Sequence, residues 1–421
     1  MSRITRRQFV RSSAALTLTA AGYTRAADSP GDRVRIAVMG VHGRGKYLLP
    51  VFQGQPGVEV THLIDPDESV VPAALAVAKK KQSVEPRVEK DVRRVLEDKS
   101  VTALVVAAPD HWHALATVWA CQAGKHVYVE KPVSHNLVEG RRMVQAARKH
   151  NRVVQAGTQR RSAEHVLAAR DFVKSGKLGK VPFARAWIAG DRKPIGRAKD
   201  APVPKGVDYS LWLGPAADRP YNPNRFHYNW HWFWEYGTGE LGNNGIHGLD
   251  MARLVLDLDA PTRVTSSGGK HFYEDDQETP DTQIASFDFP GCTLVWEHRI
   301  WAKTGLEGES FGVALHGEKG TLIFDKKGWH VKDGVEASHK EASGLMTTHV
   351  KDFLDRVRDG KMPNADIEEG HKSTRLCHLG NIAFRLSKTL NFDAATETTG
   401  DKEADKLLGR EYRAPFALPE V

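Results

Sequence analysis

The chain contains little cysteine and no apolar run long enough to cross a bilayer. Its three cysteines, Cys121, Cys292 and Cys377, lie far apart and form no CxxC pair. This spacing indicates neither a disulfide framework nor a zinc site with paired thiolates, so we interpret all three as small core residues. A membrane-spanning helix needs about 20 consecutive apolar residues. We therefore expect no stable membrane span.

The positive charge of the chain does not indicate a nucleic-acid partner. The formal net charge is +8, but the first 27 residues hold five arginines and no acidic residue. Much of the excess therefore belongs to this leader rather than to a basic face of a folded domain. The 421 residues, 40% of them hydrophobic, are enough for two or three globular domains.

The first 27 residues contain an arginine-rich segment, then an apolar run, then small residues. Residues 5–11 read TRRQFVR, an apolar run covers 14–21, and small residues surround 24–27. This arrangement resembles a twin-arginine export signal. We predict that residues 1–27 are a signal peptide read by the twin-arginine export machinery, and that the mature protein acts in the periplasm or elsewhere outside the cytoplasm.

Residues 28–157 alternate strand-like and helix-like segments, which is the rhythm of a doubly wound parallel sheet. Continuous apolar runs such as 103–107 are typical of strands covered by helices on both faces. The predicted strands cover 34–39, 58–64, 103–107, 126–129 and 153–156. The sequence therefore predicts an α/β chain that begins with a Rossmann domain.

The pattern changes in residues 158–390. Residues 191–245 are rich in proline, glycine, asparagine and aromatic residues and are too irregular for long elements. Antiparallel strands with one wet face are predicted at 282–289, 293–296, 312–315 and 321–324. Two predicted helices, 349–357 and 371–390, precede a polar tail at 391–421. We expect a C-terminal α+β domain with an open, mostly antiparallel sheet for substrate binding and oligomerisation.

A glycine turn follows the first predicted strand and precedes a helix. This is the context that a dinucleotide-binding turn requires, with the helix N-terminus binding the pyrophosphate. Gly40 permits the tight turn and Gly45 allows helix and strand to pack closely. His42 stands where the pattern has its middle glycine, and Gly43 beside it is predicted to supply the close approach. The candidate cofactor residues here are Gly40, His42, Gly43, Arg44 and Gly45.

Asp65 ends the second predicted strand. A carboxylate about 20 residues after the glycine turn accepts hydrogen bonds from the adenosine ribose hydroxyls. It would repel the extra phosphate of NADP, so we expect NAD rather than NADP.

Three further segments make the interpretation specific. Residues 108–115 read APDHWHAL, residues 124–134 read GKHVYVEKPVS, and residues 237–250 read GTGELGNNGIHGLD. With the glycine turn, they resemble the glucose–fructose oxidoreductase, inositol dehydrogenase and MocA family, from about residue 33 to residue 390. The resemblance implies a nicotinamide cofactor and adds Pro109, His113, Glu130 and Lys131 to the candidate cofactor residues.

The resemblance also implies catalytic roles for Lys131 and His247. In the family the motif lysine lies beside the nicotinamide and the substrate, and the histidine of the second domain transfers a proton. Hydride leaves a carbinol carbon only as its hydroxyl proton is taken, and an imidazole suits that task. A lysine would polarise the oxygen and stabilise developing negative charge.

One position departs from the family pattern. Many family dehydrogenases carry an aspartate four residues before the histidine, where this chain has Asn243. An amide can bind a substrate hydroxyl but holds no charge, so we expect His247 to be a weakened base. Asp250 or Glu240 could supply the missing carboxylate, although Asp250 equally fits a structural role.

The aromatic run at 226–236 is suited to sugars, whose flat apolar faces are edged by hydroxyls. From it we take Trp232 and Tyr236, together with Asn243 and Asp250, as candidate substrate residues; packing or an oligomer contact is the alternative. The histidine pairs of the chain lack a cysteine or carboxylate cluster at ligand spacing. We therefore expect no metal site.

The sequence leaves three functions open. The first is an exported oxidoreductase that acts on a sugar or polyol and keeps a tightly bound, recycled NAD. The second is an NAD-dependent glycoside hydrolase or lyase that works through a transient 3-keto-sugar. The third is a sugar-binding protein without catalysis. A homo-oligomer is implied by the resemblance alone.

Overall fold

Two β-sheets organise residues 33–421, the part of the chain that this computed structural model describes. The predicted signal peptide at 1–27 lies outside the described residues. Val34–Val421 form one unit. Most strands of both sheets coincide with apolar or alternating segments of the sequence. The order of the strands differs between the two sheets.

The first sheet is parallel and has the strand order β3-β2-β1-β4-β5-β6. Its strands are β1 Val34–Met39, β2 Val58–Ile64, β3 Arg87–Glu89, β4 Ala103–Val106, β5 His126–Val129 and β6 Val154–Ala156. Its helices are α1 Arg44–Gln53, α2 Val71–Ala78, α3 Val92–Glu97, α4 Asp110–Gln122 and α5 Leu137–Lys149. The predicted Rossmann sheet is confirmed, with β3 as an added edge strand.

The strand order of this sheet fixes where a ligand can bind. The chain moves outward from β1 through β2 to β3, then returns to β4 on the other side of β1. In such sheets the crevice for a ligand opens at the carboxyl ends of the strands on either side of this reversal. The glycine turn follows β1, and residues 107–110 follow β4, so both lie at this crevice.

The second sheet has nine strands in the order β14-β13-β12-β11-β7-β10-β9-β8-β15. The strands are β7 Phe183–Ala189, β8 Arg263–Gly269, β9 Thr282–Phe289, β10 Cys292–Arg299, β11 Phe311–Gly317, β12 Gly320–Asp325, β13 Gly328–Lys332, β14 Ser338–Lys340 and β15 Leu390–Asn391. Neighbours are antiparallel except for the parallel pair β7 and β10. The predicted open, mostly antiparallel sheet is confirmed.

Helices cover one face of the second sheet and build its core. The remaining helices are α6 Glu164–Lys174, α7 Tyr209–Leu213, α8 Ile246–Leu256, α9 Leu345–Asp359, α10 Ile367–Leu386 and α11 Lys402–Lys406. Apolar residues of α6, α8 and α10 share one buried cluster with the strands. Helix α10 ends at Leu386, earlier than the predicted 390, because Ser387 adopts a left-handed conformation and the chain turns into β15.

The last residues of the chain pack against the Rossmann domain. Phe416 is buried in the core cluster of the first sheet, with its ring 5.6 Å from that of Trp112. Leu418 and Val421 pack on the same cluster. Residues 391–421, expected to be a polar tail, therefore include apolar residues that pack into the core of the first domain. A few large side chains are enough to anchor a mostly polar segment.

We expect Phe416→Ala to lower the free energy of unfolding by about 3 kcal/mol or more, because it leaves a cavity in a packed core. Met362→Ala, at a residue 66% exposed, is the control and is expected to change it by less than about 0.5 kcal/mol. Denaturant unfolding measures both. Equal effects of the two variants would contradict the packing described for the C-terminal residues.

Candidate active site

A cavity of 580 Å³ opens at the carboxyl ends of the parallel strands, between the Rossmann domain and residues 227–247. Both domains supply its walls. The predicted site residues that line it are Gly40, His42, Gly43, Arg44, Asp65, Pro109, His113, Glu130, Lys131, Asn243 and His247. Gly45, Trp232, Tyr236 and Asp250 are not among the lining residues. The structure thus brings most of the predicted residues to one site.

Close packing explains two glycines of the turn. Gly40 has a φ of +82°, and a methyl group there would lie 2.6 Å from the carbonyl oxygen of Ala107. A methyl group on Gly45 would lie 2.0 Å from the carbonyl oxygen of Gly40. Gly45 therefore packs directly against the backbone of the turn, where no side chain fits. It does not line the cavity.

Gly43, unlike Gly40 and Gly45, borders open space: a methyl group on it would meet nothing within 4 Å. It is the N-cap residue of α1, and no side chain of the described residues caps this helix. The first amides of α1 are thus left for another acceptor. Free amides at a helix N-terminus, beside an open glycine, fit the pyrophosphate of a dinucleotide.

An ion pair lies beside Gly43 and the free amides at the start of α1, which together are called the phosphate cradle below. The Nε of Arg44 donates to Oε1 of Glu130 at 2.8 Å, and the backbone N–H of Lys131 donates to the other carboxylate oxygen at 3.3 Å. The carboxylate of Glu130 raises the pKa of Arg44 against the opposing effect of burial. Arg44 thus presents a fixed cation beside the helix N-terminus, where a phosphate would be stabilised.

Asp65 lines the cavity but already holds two backbone hydrogen bonds. Its carboxylate accepts from the N–H groups of Val41 at 2.9 Å and Asp67 at 3.0 Å. Burial raises the pKa of Asp65 to about 6, and the two backbone hydrogen bonds oppose that shift. A carboxylate oxygen can accept more than one hydrogen bond, so Asp65 retains capacity for a ribose hydroxyl.

His42, which occupies the place of the missing middle glycine, contacts the second domain. Its ring centroid lies 4.3 Å from that of His227. The Nε2 of His227 lies 2.8 Å from the carboxylate of Asp67. Burial, and then the neighbouring His42, lowers the pKa of His227. The departure from the glycine pattern therefore creates a contact between the two domains in the wall of the cavity.

Lys131 joins the two domains at the cavity. Its Nζ donates to the backbone oxygen of Asn243 at 2.6 Å and to the side-chain oxygen of Asn243 at 3.0 Å. Burial lowers the pKa of Lys131, and the acidic residues Glu130, Asp110 and Glu240 oppose that shift. Asn243 therefore positions the lysine with neutral oxygen atoms, where an aspartate would supply a charge.

His247 contributes a neutral imidazole. Its Nδ1 is buried and has no hydrogen-bond partner among residues 33–421. Burial, followed by the charge of Lys131, holds the pKa of His247 well below its usual value. The ring is therefore unprotonated at neutral pH and is a weak base, and since the residue is only partly buried and lines the cavity, its accessible edge can engage a substrate hydroxyl.

A π-helical turn at Leu241–Gly245 leads directly into α8. Such turns insert one extra residue per turn into a helix and are frequent at functional sites. Here the turn carries Asn243, and His247 follows in the first turn of α8. The segment thus delivers both residues to the cavity from one continuous helical stretch.

The two carboxylates that the sequence suggested as substitutes for Asn243 are held elsewhere. Asp250 accepts from Nε of Arg161 at 2.7 Å and from the hydroxyl of Ser373 at 2.6 Å. Glu240 pairs with Arg192 at 3.1 Å. Neither carboxylate lines the cavity, so Asp250 has the structural surroundings that the sequence left open as its alternative.

The aromatic run reaches the cavity through residues other than those selected from the sequence. His227–Trp232 forms a 3₁₀ helix, in which residues three apart share a face. Two pairs of residues three apart line the cavity: His227 with Trp230, and Tyr228 with His231. Trp232 and Tyr236 are buried behind them in a separate aromatic core. Three-residue periodicity could have separated these two pairs from Trp232, but packing alone decides which face is buried.

Sequence reasoning also missed a carboxyl group in the cavity. Asp110 is the first residue of α4 and lines the cavity together with Thr238 and Gln159. It stands directly after Pro109, in a motif that had been singled out. Its place at the carboxyl end of β4 could have identified it, because residues there face the ligand crevice.

Histidines near the cavity are held by the backbone rather than grouped for a metal. The ring nitrogens of His113 lie 2.7 Å from the Pro132 carbonyl oxygen and 2.8 Å from that of Ala108. Within the described part of the chain, no group of three or more potential ligands is placed to hold a metal ion. Nor does any helix of residues 33–421 have the length and apolarity that crossing a membrane demands.

Comparisons with known proteins assign both domains. Residues 34–158 match the NAD-binding Rossmann fold of the Gfo/Idh/MocA oxidoreductase family, and residues 193–418 match its C-terminal alpha/beta domain. The first domain is therefore a Rossmann domain that binds a nicotinamide cofactor, as the resemblance implied.

Individual relatives agree with this assignment. The chain is 31% identical to a myo-inositol 2-dehydrogenase of Thermotoga maritima over 284 residues, which are 67% of this chain and 72% of that protein. It is 35% identical to a 1,5-anhydro-D-fructose reductase of Ensifer adhaerens over 241 residues, 55% of this chain and 59% of that enzyme. The latter alignment spans less than two thirds of the reductase.

A solved structure supports the fold. The aldose-aldose oxidoreductase from Caulobacter crescentus, complexed with glycerol, superposes with a TM-score of 0.65 at 18% identity. The match covers 86% of this chain and 100% of that one. At this identity the likeness concerns the fold.

The two glycines near the start of α1 provide a matched test of the cradle. Gly43→Ala is expected to fold normally but to bind NADH about tenfold more weakly, since its methyl group enters the space assigned to the pyrophosphate. Gly45→Ala is expected to lower the free energy of unfolding by about 1–3 kcal/mol, because the methyl group overlaps a backbone oxygen. Thermal unfolding and fluorescence titration with NADH measure both effects. Unchanged NADH affinity in Gly43→Ala would contradict the placement of the pyrophosphate.

Proposed function

Because the chain belongs to the Gfo/Idh/MocA oxidoreductase family, we propose that it transfers hydride between NAD and a sugar or polyol. The observation that carries this proposal is the shared cavity. The glycine turn and the start of α1 line it together with Lys131, Asn243 and His247. A dinucleotide on the cradle would extend its nicotinamide toward the lysine and the histidine.

The proposed chemistry divides the work between two side chains. When bound, the nicotinamide accepts or supplies the hydride. His247, which is neutral and lines the cavity, takes the proton from the substrate hydroxyl, and general-base catalysis of this kind is worth about 10²–10⁴-fold. Lys131 stabilises the negative charge that develops on the same oxygen. Asn243 holds Lys131 in place through both of its oxygen atoms.

The remaining walls support a sugar or polyol as substrate. Tyr228 and Trp230 offer ring faces, while His231 lies beside them. The Nδ1 of His231 is in contact with the backbone oxygen of Tyr228, and its buried Nε2 has no partner among residues 33–421. Burial lowers the pKa of His231 to about 3, so the ring is neutral and can accept a hydrogen bond from a sugar hydroxyl. Relatives that act on inositol and anhydrofructose favour the same substrate class.

The export signal and the cofactor chemistry belong to one proposal. Outside the cytoplasm there is little free NAD, so repeated turnover requires a cofactor that stays bound and is restored in each cycle. Coupled oxidation of one sugar and reduction of another meets this requirement. We also propose, from the family resemblance, that the mature protein is a homo-oligomer.

The test of this function begins with the untreated, purified mature protein. We expect denaturation to release about one NAD per chain, identified by mass, and a screen of sugars to find one that reduces the bound cofactor and another that reoxidises it. Lys131→Met and His247→Asn are expected to keep the nucleotide but to lose at least about 100-fold in the rate of reduction.

Several results would contradict the proposal. A protein that contains no nucleotide and binds neither NAD nor NADP has no hydride acceptor. Cleavage of a glycoside without net reduction of the cofactor would instead support the hydrolase or lyase. Variants of Lys131 and His247 that turn over at the wild-type rate would remove both residues from the mechanism.

The ionisation of Asp65 is expected to make the preference for NAD over NADP depend on pH. Its pKa of about 6 means that the carboxyl is ionised above this pH and neutral below it. The ionised form repels the additional phosphate of NADP, at a cost of about tenfold in affinity. We therefore expect the ratio of the dissociation constants, NADP over NAD, to fall as the pH is lowered from 8 to 5.

Titration calorimetry at several pH values measures this ratio. The phosphate of NADP also titrates near pH 6, so Asp65→Asn is the necessary control. That variant is expected to show a smaller ratio at pH 8 and only the pH dependence of the phosphate itself. Identical profiles for the variant and the wild type would show that Asp65 does not discriminate between the cofactors.

A further inference from the structure

One residue of the second domain, His227, contacts both loops that hold a dinucleotide in the Rossmann domain. The first loop is the glycine turn after β1, where the ring centroid of His42 lies 4.3 Å from that of His227. The second loop follows β2, where the Nε2 of His227 lies 2.8 Å from the carboxylate of Asp67. The backbone N–H of Asp67 donates in turn to the carboxylate of Asp65 at 3.0 Å. His227 is thus linked by direct contacts to both the residue next to Gly43 and the candidate ribose-binding residue.

The backbone of the second domain is attached to the same loop. Val207 forms an isolated antiparallel bridge with Asp67. The N–H of Glu68 donates to the carbonyl oxygen of Gly206 at 3.2 Å, and the N–H of residue 208 donates to that of residue 66 at 2.8 Å. Main-chain hydrogen bonds of this kind set the position of a segment without depending on any one side chain. The loop after β2 is therefore held by the second domain through backbone and side chain together.

His227 makes its contacts from an unfavourable backbone conformation. Its φ is +48°, in the left-handed region. Residues other than glycine adopt this region at a cost, and they keep it only where the surrounding contacts hold them there. The contacts of His227 with His42 and Asp67 are of this kind. Such conformations are concentrated at ligand sites and at segments that close over ligands.

The segment that carries His227 also supplies part of the cavity wall. Gly43 and Asp65 line the cavity from the Rossmann domain. The residues of the second domain between 204 and 232 that line the same cavity are Leu211, Trp212, His227, Tyr228, Trp230 and His231. A dinucleotide held by the phosphate cradle and Asp65 therefore shares its cavity with this segment.

We propose that residues 204–232, called the retaining segment below, close over the bound dinucleotide, and that His227 holds them closed. The inference rests on the proposed function and names the part of the chain that keeps the cofactor bound between reaction cycles. The nucleotide leaves only after His227 has separated from His42 and Asp67. Segments that close over a ligand commonly control its release. Weakening these contacts therefore speeds the dissociation of the nucleotide, and tightening them slows it.

The first test measures how fast NADH leaves the mature protein. The protein is loaded with NADH and mixed with excess NAD, and the loss of NADH fluorescence gives the dissociation rate. His227→Ala loses both side-chain contacts, so we expect it to release NADH at least about tenfold faster than the wild type. Equal rates for His227→Ala and the wild type would overturn the inference.

The matched control for this variant is a second histidine–aspartate pair. The Nδ1 of His330, on β13, lies 3.1 Å from the carboxylate of Asp325, and neither residue lines the cavity. His330→Ala removes a comparable contact and is expected to release NADH at the wild-type rate. Acceleration by His330→Ala as large as that by His227→Ala would overturn the inference, because the effect would then not depend on the retaining segment.

A reversible cross-link tests the opposite change. A methyl group on Gly206 would lie 3.4 Å from the Cβ of Glu68, close to the spacing of about 3.8 Å that disulfides have. Glu68→Cys combined with Gly206→Cys is therefore expected to join the retaining segment covalently to the loop after β2. The native cysteines are buried and leave the new pair undisturbed; they are Cys121, Cys292 and Cys377.

The cross-linked protein is expected to trap its nucleotide. When NADH is bound before oxidation, we expect release to be at least about tenfold slower than from the same protein after reduction with dithiothreitol. Both measurements use one sequence, so any effect of the two substitutions on folding is common to them. Equal release rates before and after reduction, or failure of the disulfide to form, would overturn the inference.

NADH binding itself separates this inference from the proposed function. A protein that binds neither NADH nor NADPH would overturn both. A protein that binds NADH but releases it at one rate in the wild type, in His227→Ala and in the cross-linked variant would overturn only the role of the retaining segment, and the proposed hydride transfer would stand.

Discussion

The hydrogen bonds from Lys131 to Asn243 are the contact on which the candidate active site depends. The lysine follows a strand of the Rossmann sheet, and the asparagine lies 112 positions further along the chain. The contact fixes Nζ at the point where the nucleotide cradle meets the second domain. Asp110 with Thr238, and His42 with His227, repeat the same arrangement nearby. Each pair sets one residue from each domain at the cavity, so the site exists only when the two domains are packed together.

The orientation of α8 is a second constraint, and it depends on a residue that does not reach the cavity. Asp250 is bonded to Arg161 and Ser373 in a nearly dry environment. Breaking such a buried pair by removing one partner costs about 3–5 kcal/mol, so the helix is firmly held at this turn. His247 lies three residues earlier on the same helix. The buried carboxylate thus sets the direction of the imidazole through the helix, without touching it.

Local sequence patterns were sufficient for most of the scaffold. The apolar runs identified the strands of the parallel sheet except β3, whose exposed residues leave no such run. The glycine turn and the Glu-Lys-Pro motif selected Gly40, Gly43 and Lys131, and all three line one cavity, because both motifs stand at the carboxyl ends of parallel strands. What local patterns could not provide was the facing of side chains in irregular segments. Trp232 and Tyr228 belong to the same run, yet one is buried and the other is exposed, and only tertiary packing decides between them.

The carboxyl group of Asp110 illustrates this limit most clearly. A search along the sequence near His247 finds Glu240 and Asp250, whereas the structure places Asp110, 137 positions earlier in the chain, at the cavity. Residues that meet in space at the carboxyl edge of a sheet come from loops that are far apart in sequence.

Burial acts on these groups in a common direction. Removal from water disfavours whichever form is charged. It raises the pKa of Asp65 and Asp110 and lowers that of Lys131 and His247. The four groups are therefore all displaced toward their neutral forms. A neutral imidazole at His247 can take a proton from a substrate hydroxyl, so the same burial that displaces these groups also suits His247 to the step proposed for it.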